Sequence, residues 1–288
     1  MTHRTLLASA ALALAALAPQ AQAALVIDYA SFAGACGVTL TCVGATAASG
    51  SDLRLTPAAF NTAGAGFSTT AISLGAGATF STTFQFRMSQ AGGIDPADGF
   101  TFVVSKASSG LGGLGGGLGY QGVGNSVAIE FDTYNNGEVG ASNHVGIDVN
   151  GSLASLAPVS PYGISGCTGG NYGATGCMSN GKIWSAYVNY DGTTKKLNVS
   201  VQEAGSALIQ LITNFDIDIA TALGTNDAFV GFTAATGSGW QNHDILSWQL
   251  ANDTSIVTNP GGRLPEPASL ALLALAGGAA LSARRRRA

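Results

Sequence analysis

Short runs in which apolar and polar residues alternate with a period of two recur along this chain, and no helical periodicity is long enough to cover them. The strongest is Thr79-Phe80-Ser81-Thr82-Thr83-Phe84-Gln85-Phe86-Arg87, whose even positions Phe80, Phe84 and Phe86 make one large apolar face. Similar runs read as strands at residues 25–29 (an edge strand), 51–56, 97–104, 182–190, 196–201, 229–234 and 243–250. Asp98-Gly99 introduces one of them and Asp191-Gly192 turns between two others. A short helix or extended segment is read over 217–223, and residues 63–66, 155–180 and 236–242 read as loops. The 41 glycines of the 288 residues supply turns and thin loops. Many short strands, one core and no helices to cover a parallel sheet imply an all-β sandwich of antiparallel sheets.

Within that pattern, residues 127–150 concentrate chemistry. Val127, Ile129 and Phe131 alternate with Ala128, Glu130 and Asp132, so two carboxylates share one face. An Asn/Gly-rich loop follows, and a second alternating run, Val145-Gly146-Ile147-Asp148-Val149, begins after His144. Antiparallel pairing of the two runs would bring His144 beside Glu130 and Asp132. Carboxylates, an imidazole and a loop rich in amide and carbonyl oxygens are what a divalent metal site needs.

The two ends carry their own signals. Residues 1–23 combine basic His3 and Arg4, an apolar Leu/Ala run and Ala21-Gln22-Ala23, which reads as a secretory signal with its cleavage box. At the other end Pro265-Glu266-Pro267 precedes an apolar run over 268–283 and the cluster Arg284 to Arg287. That run is marginal for crossing a bilayer, but terminal arginines orient such a segment. Motif, helix and cluster together resemble the PEP-CTERM sorting signal of Gram-negative bacteria. The resemblance implies an exosortase as processing partner, a membrane association made only through this segment before processing, and delivery to the cell surface or extracellular matrix. The expected organisation is a signal peptide over 1–23, one domain over 24–255, a linker over 256–264 and the sorting segment over 265–288.

Between residues 24 and 260 only Arg54, Arg87, Lys106, Lys182, Lys195 and Lys196 are basic, against fifteen acidic residues, since Glu266 alone of the sixteen lies outside. A net-acidic domain without a basic stripe excludes nucleic acid and anionic membranes as expected partners; a homo-oligomer is left open. The four cysteines of an exported chain are expected in disulfides, with three connectivities open, of which the local pairs Cys36 with Cys42 and Cys167 with Cys177 are preferred. The glycine run at 110–119 lacks the Lys-Ser/Thr and helix of a phosphate-binding loop, and reads as a close-packed turn with its backbone open to a ligand.

Taken in order, Leu53-Arg54-Leu55-Thr56, Phe80-Ser81-Thr82-Thr83-Phe84, Ala97-Asp98-Gly99-Phe100-Thr101-Phe102, Gly116-Gly117-Leu118-Gly119, residues 127–134, His144-Val145-Gly146-Ile147-Asp148, Tyr190-Asp191-Gly192-Thr193, Ala234-Ala235-Thr236-Gly237 and Ser247-Trp248 resemble the legume-type (L-type) lectins. The matches are collinear and span nearly the whole mature domain. The resemblance implies a concanavalin-like jelly roll in which calcium (Ca2+) and a transition metal such as Mn2+ shape a shallow sugar site. It implies Glu130, Asp132 and His144 as transition-metal ligands, with Asp132, the Tyr134 carbonyl and the Asn136 side chain on calcium. It also implies Asp98, Asn136, a backbone N–H of Gly116 or Gly117, and the loop of Gly237, Ser238, Gly239, Trp240 and Gln241 as the sugar-contacting set, with Trp240 able to stack on a sugar face.

One departure stands out. The family usually carries, a few residues before the histidine, an aspartate that bridges both metals; here Gly140-Ala141-Ser142-Asn143 stands there and the only acid in the loop is Glu138. Either Glu138 reaches in, or Asn143 supplies a neutral oxygen, or one metal is lost. His243, Trp184 and Trp248 read as structural, as do Asp148 and Asp191. Some glycosidases on this fold carry E-x-D-x-x-E, but position 135 is Asn, which cannot serve as a general acid. A non-enzymatic carbohydrate-binding protein for glycan or exopolysaccharide is therefore expected, the alternatives being a matrix protein that keeps the fold without binding sugar and, less favoured, a glycoside hydrolase.

Overall fold

The computed structural model describes residues 25–252, Val139 excepted. The expected secretory segment and the residues after 252, including the linker and sorting segment, lie outside the described residues. Along the chain run β1 (Leu25–Tyr29), β2 (Leu40–Gly44), β3 (Ala47–Ser49), β4 (Asp52–Thr56), β5 (Ala63–Ser68), β6 (Ile72–Ser73), β7 (Phe80–Gly93) and β8 (Gly99–Ser105). They are followed by β9 (Ser126–Asp132), β10 (His144–Val149), β11 (Leu156–Val159), β12 (Trp184–Asp191), β13 (Lys196–Glu203), β14 (Ile209–Asp216), β15 (Asp227–Ala235) and β16 (Gly239–Asn252).

The strands form two antiparallel sheets. One has the order β14-β13-β12-β7-β16-β4-β3, with β1 pairing along β16, and is called the back sheet here. The front sheet has the order β11-β10-β9-β8-β15-β5-β2, with β6 pairing on β15. The expected all-β antiparallel sandwich is the observed fold. Its centre is aromatic: Phe84 and Phe86 from β7 meet Phe100 from β8, Phe131 from β9 and Phe232 from β15, with Phe100 stacked on Phe131 at 4.7 Å and Phe84 edge-on to Phe232 at 5.0 Å. Each such ring is buried and contributes about 1.5–3 kcal/mol by leaving water. Trp184 and Trp248 are fully buried core residues, as their runs predicted.

The loop expected at residues 63–66 is instead the start of a buried strand, β5. The glycines that suggest a loop serve close packing: a Cβ on Gly64 would strike the Leu55 carbonyl, and one on Gly231 of β15 would strike the Gly66 carbonyl. The loop expected at 236–242 shrinks likewise, because β16 already begins at Gly239. β14 lacks a clean alternation and was not anticipated; its burial is irregular because it is the sheet edge. Within 217–223 a helix, α1 (Ile219–Leu223), is capped by the Asp218 side chain accepting from the Thr221 N–H. Both preferred disulfides are present, Cys36–Cys42 and Cys167–Cys177.

Candidate metal and carbohydrate site

β9 and β10 pair antiparallel with His144 opposite Asp132 and Gly146 opposite Glu130. This register places Glu130, Asp132 and His144 so that a ligand atom from each lies within 4.8 Å of the others, and all three are buried. Gly146 makes the room: a Cβ there would stand 2.6 Å from Glu130 Oε1. His144 Nδ1 lies 2.7 Å from the Ala141 carbonyl and Nε2 lies 2.8 Å from Glu130 Oε1. A carbonyl can only accept, so Nδ1 carries a proton; the Nε2–Glu130 hydrogen bond needs a proton of its own, and loss of that proton would free the Nε2 lone pair for a metal, the tautomer a metal ligand needs.

The charges here are unbalanced. Asp148 and Ser155 join the group, with Ser155 Oγ donating to Glu130 and standing 3.3 Å from Asp148 Oδ1, while Asp148 Oδ2 has no partner. Burial, then the negative charge of Glu130, pushes Asp132 well above the usual carboxylate range and Asp148 up to about 9. Burial works to lower His144, but its hydrogen bond to Glu130 and the charge of that carboxylate raise it above its ordinary value. The lysines and arginines in ion pairs are matched with other acids, as in Arg54–Asp244 and Lys182–Glu203. Buried carboxylates without a basic partner favour a cation between them. One imidazole and two carboxylates suit a transition ion, so these residues fit one.

The second half of the site adjoins the first through Thr133. Its N–H and Oγ1 both donate to the Asp98 carbonyl, at 2.8 and 2.9 Å, which fixes the start of β8 against the end of β9. Asp98 is buried and follows the cis Ala97–Asp98 bond. Its Oδ2 is unpartnered, and burial raises its pKa to about 7 against the pull of Asn136 and the Gly237 backbone. One atom of the Asn136 carboxamide lies 3.1 Å from the Tyr134 carbonyl oxygen and 3.2 Å from Asp98 Oδ1. Turned as NH2 it donates to both; turned as oxygen it completes a set of three oxygens, beside Asp132, whose Oδ1 accepts from the Tyr134 N–H at 2.7 Å. Oxygens converging in that way suit calcium.

Gly116 packs so closely on Asn136 that any side chain there would collide with the carboxamide, and a Cβ on Gly237 would stand 3.4 Å from Asp98 Oδ2. The predicted set Asp98, Gly116, Asn136 and Gly237 is thus brought together. Gly117 is buried and spends its N–H on the Leu114 carbonyl. Ser238 is exposed, its carbonyl accepting from Ile94, and Gly239 is buried at the head of β16. Trp240 does not stand free in a loop; its ring lies against Gly92 and Gly93 of β7.

Glu138 stands outside the cluster of three, both its oxygens accepting from the Asn136 N–H at 2.9 and 3.0 Å. Asn143 turns away: its Nδ2 donates to the Ile164 and Gly176 carbonyls and its Oδ1 accepts from Met178. Of the readings for the shortened loop, Asn143 as an oxygen ligand is therefore not what the side chain does. The sequence pattern reads Asp148 as structural and does not mark Ser155. The alternation His144, Gly146, Asp148 places Asp148 on the histidine's face of β10, which was the available signal; Ser155 arrives from beyond β10 and had none.

The legume lectin domain family matches residues 25–262. The chain belongs to that family. Among curated proteins the domain is 34% identical over 184 residues to a lectin of Leucomphalos mildbraedii, covering 60% of this chain and 68% of that one. It is 29% identical over 197 residues to the L-type lectin-domain containing receptor kinase VIII.1 of Arabidopsis thaliana, covering 66% of this chain but spanning only 26% of the kinase. The lectin from Bauhinia forficata in complex with GalNAc superposes with a TM-score of 0.65 at 24% identity, over 80% of this chain and 98% of that one. The family is one of carbohydrate-binding lectins rather than enzymes. Legume lectins bind Ca2+ and Mn2+, and this lectin domain holds an acidic/His group able to take a metal.

Proposed function

We propose that this chain is an exported lectin that binds surface or extracellular-matrix polysaccharide through a sugar site organised by calcium and a transition metal. Glu130, Asp132 and His144 would hold the transition ion; Asp132, the Tyr134 carbonyl and the Asn136 amide oxygen would hold calcium, with Glu138 the one acid of the loop left to replace the usual bridging aspartate. When bound, the cations neutralise the buried carboxylates and fix the loop. The chain's own residues then present Asp98 as acceptor for sugar hydroxyls, the Asn136 NH2 and the Gly116 N–H as donors, and Gly237 as an open wall. Preorganisation of this kind lowers the ordering cost of binding. The observation that carries the reading is the convergence of Asn136, the Tyr134 carbonyl and Asp98 beside a buried acid–histidine cluster that no lysine or arginine among the described residues pairs with. The secretory and PEP-CTERM-like ends support export, exosortase processing and a place at the surface of a Gram-negative cell.

The test is glycan-array binding with and without EDTA. Because the Bauhinia forficata structure holds GalNAc, galactose and N-acetylgalactosamine glycans are the first probes, followed by bacterial exopolysaccharide. Metal-dependent binding that Asp98→Ala or Asn136→Ala abolishes is the expected result. A second reading, a matrix protein that keeps the fold without binding sugar, draws on the missing bridging aspartate; failure to bind calcium or any glycan would establish it over the first.

A further inference from the structure

Residues 164–178, closed by the Cys167–Cys177 disulfide, touch both halves of the candidate site and a buried acid of the back sheet. On the metal side, Asn143 is fully buried and spends its whole side chain on this loop. Its Nδ2 donates to the Ile164 carbonyl at 2.7 Å and to the Gly176 carbonyl at 2.9 Å, and its Oδ1 accepts from the Met178 N–H at 3.1 Å. Ser142 Oγ adds a bond to the Ser165 carbonyl at 3.0 Å. On the sugar side, Asp95, three residues before Asp98, accepts from the Gly169 N–H at 2.8 Å. From below, Glu203 of β13 accepts from the Gly176 N–H at 2.7 Å and from Lys182 Nζ at 2.6 Å.

We propose that the disulfide-closed loop is a clamp that holds the metal-side loop and the Asp98 loop in register, with Asn143 as its positioning residue. The physical case is one of entropy. Residues 137, 138 and 140–143 contain two glycines and no regular secondary structure, so the loop that must deliver His144 and Asn136 has little to order it by itself. Where a bridging acid would tie it to a cation, this chain ties it to a neighbouring loop that a covalent bond has already shortened. The bond that matters is then the distant one: opening Cys167–Cys177 frees Gly176 and Met178, leaves the buried Asn143 amide unpaired, and releases the backbone on which His144 sits. Cys36–Cys42 closes a separate loop that ends within β2, and among the described residues that loop makes no hydrogen bond to the metal-side or Asp98 loops.

The experiment compares Cys167→Ser/Cys177→Ser with Cys36→Ser/Cys42→Ser and with Asn143→Ala in the mature chain. Two readouts are used: hydrogen exchange of residues 140–143 without metal, and calorimetric titration with calcium alone. Loss of an outer-shell support typically weakens a metal site about 10–100-fold. The Cys167/Cys177 and Asn143 variants should therefore lose protection at 140–143 and bind calcium weaker by about that factor, while the Cys36/Cys42 variant keeps both. Unchanged exchange and affinity in a cooperatively melting Cys167/Cys177 variant would overturn the proposal; if that variant does not fold, Asn143→Ala decides in the same way. The calcium readout rests on the calcium reading of Asp132, Tyr134 and Asn136, but the exchange readout does not. Wild type that fails to bind calcium thus defeats the proposed function alone, and the clamp is judged on exchange.

Discussion

His144 and His243 are both buried to completion, one in each sheet of the same sandwich. His144 lies among acids, with Glu130 at Nε2 and the Ala141 carbonyl at Nδ1. His243 meets Thr56 Oγ1 at 2.6 Å from Nδ1, and Gln241 Nε2 stands 3.4 Å from its Nε2. Burial without an acid lowers its pKa to about 3. The acid that follows it, Asp244, points to the other face, where Arg54 clamps both oxygens at 2.8 and 2.9 Å. Burial alone therefore says nothing of function; the partners do. A histidine whose Nδ1 proton is fixed by a carbonyl and whose Nε2 faces carboxylates is prepared for a cation, and one held between a hydroxyl and an amide is a neutral part of the core.

The largest expected effect separates the two by substitution. His144→Ala should weaken Mn2+ binding by at least about 100-fold, more than the loss of an outer-shell partner would. His243→Ala should leave metal affinity unchanged but cost about 2–3 kcal/mol of stability, because it opens a cavity and strands Thr56 and Gln241. Calorimetry and urea denaturation of both variants check this. Equal losses of metal affinity would erase the distinction.

Next comes the pH dependence of His243. Its pKa of about 3 in the fold lies below the roughly 6.5 of an unfolded imidazole. Between those values the unfolded chain binds a proton that the native chain refuses, so this contribution is complete above pH ~6.5 and is lost as the pH falls. At pH 4.5 the loss amounts to about 3 kcal/mol, two pH intervals at about 1.4 kcal/mol each. The buried carboxylates with raised pKa act in the opposite direction, so the readout is the difference between wild type and His243→Gln in urea midpoints at pH 4.5 and 7. A difference that does not change with pH would mean that His243 takes up its proton while folded.

Much of this contrast was legible in the chain itself. Period-two alternation placed Glu130 and Asp132 on one face, and the return run put His144 opposite them, because strand pairing leaves little freedom once both patterns are set. Collinear matches to the lectins located Asp98, Asn136 and Gly237. The role of Asn143 was not legible: it depends on carbonyls of Ile164 and Gly176, some twenty to thirty residues further on, in a loop whose path no periodicity describes. Trp240 was misplaced for a related reason. Its Gly/Ser surroundings suggest a loop, yet the pairing of Gly239 with Gly93 and Trp240 with Gly92 extends β16 through it. In the same way β5 was hidden by glycines that serve close approach between strands rather than turns.

The smallest effect probes how tightly the His144 side is built. Gly146 faces Glu130 across the strand pair, and an added methyl would stand 2.6 Å from Glu130 Oε1 and 3.1 Å from Ser155 Cβ. Gly146→Ala must therefore push the carboxylate off its line with His144 while keeping every backbone bond of the β9–β10 ladder. A weakening of Mn2+ affinity by about tenfold, or about 1.4 kcal/mol, with a thermal midpoint near that of wild type is the expected outcome. The matching change on the other sheet is Gly92→Ala, where the new methyl would meet the Trp240 ring, and there metal affinity should stay the same. If Gly146→Ala binds Mn2+ as wild type does, Glu130 is free to move and the preorganisation ascribed to the His144 cluster is absent.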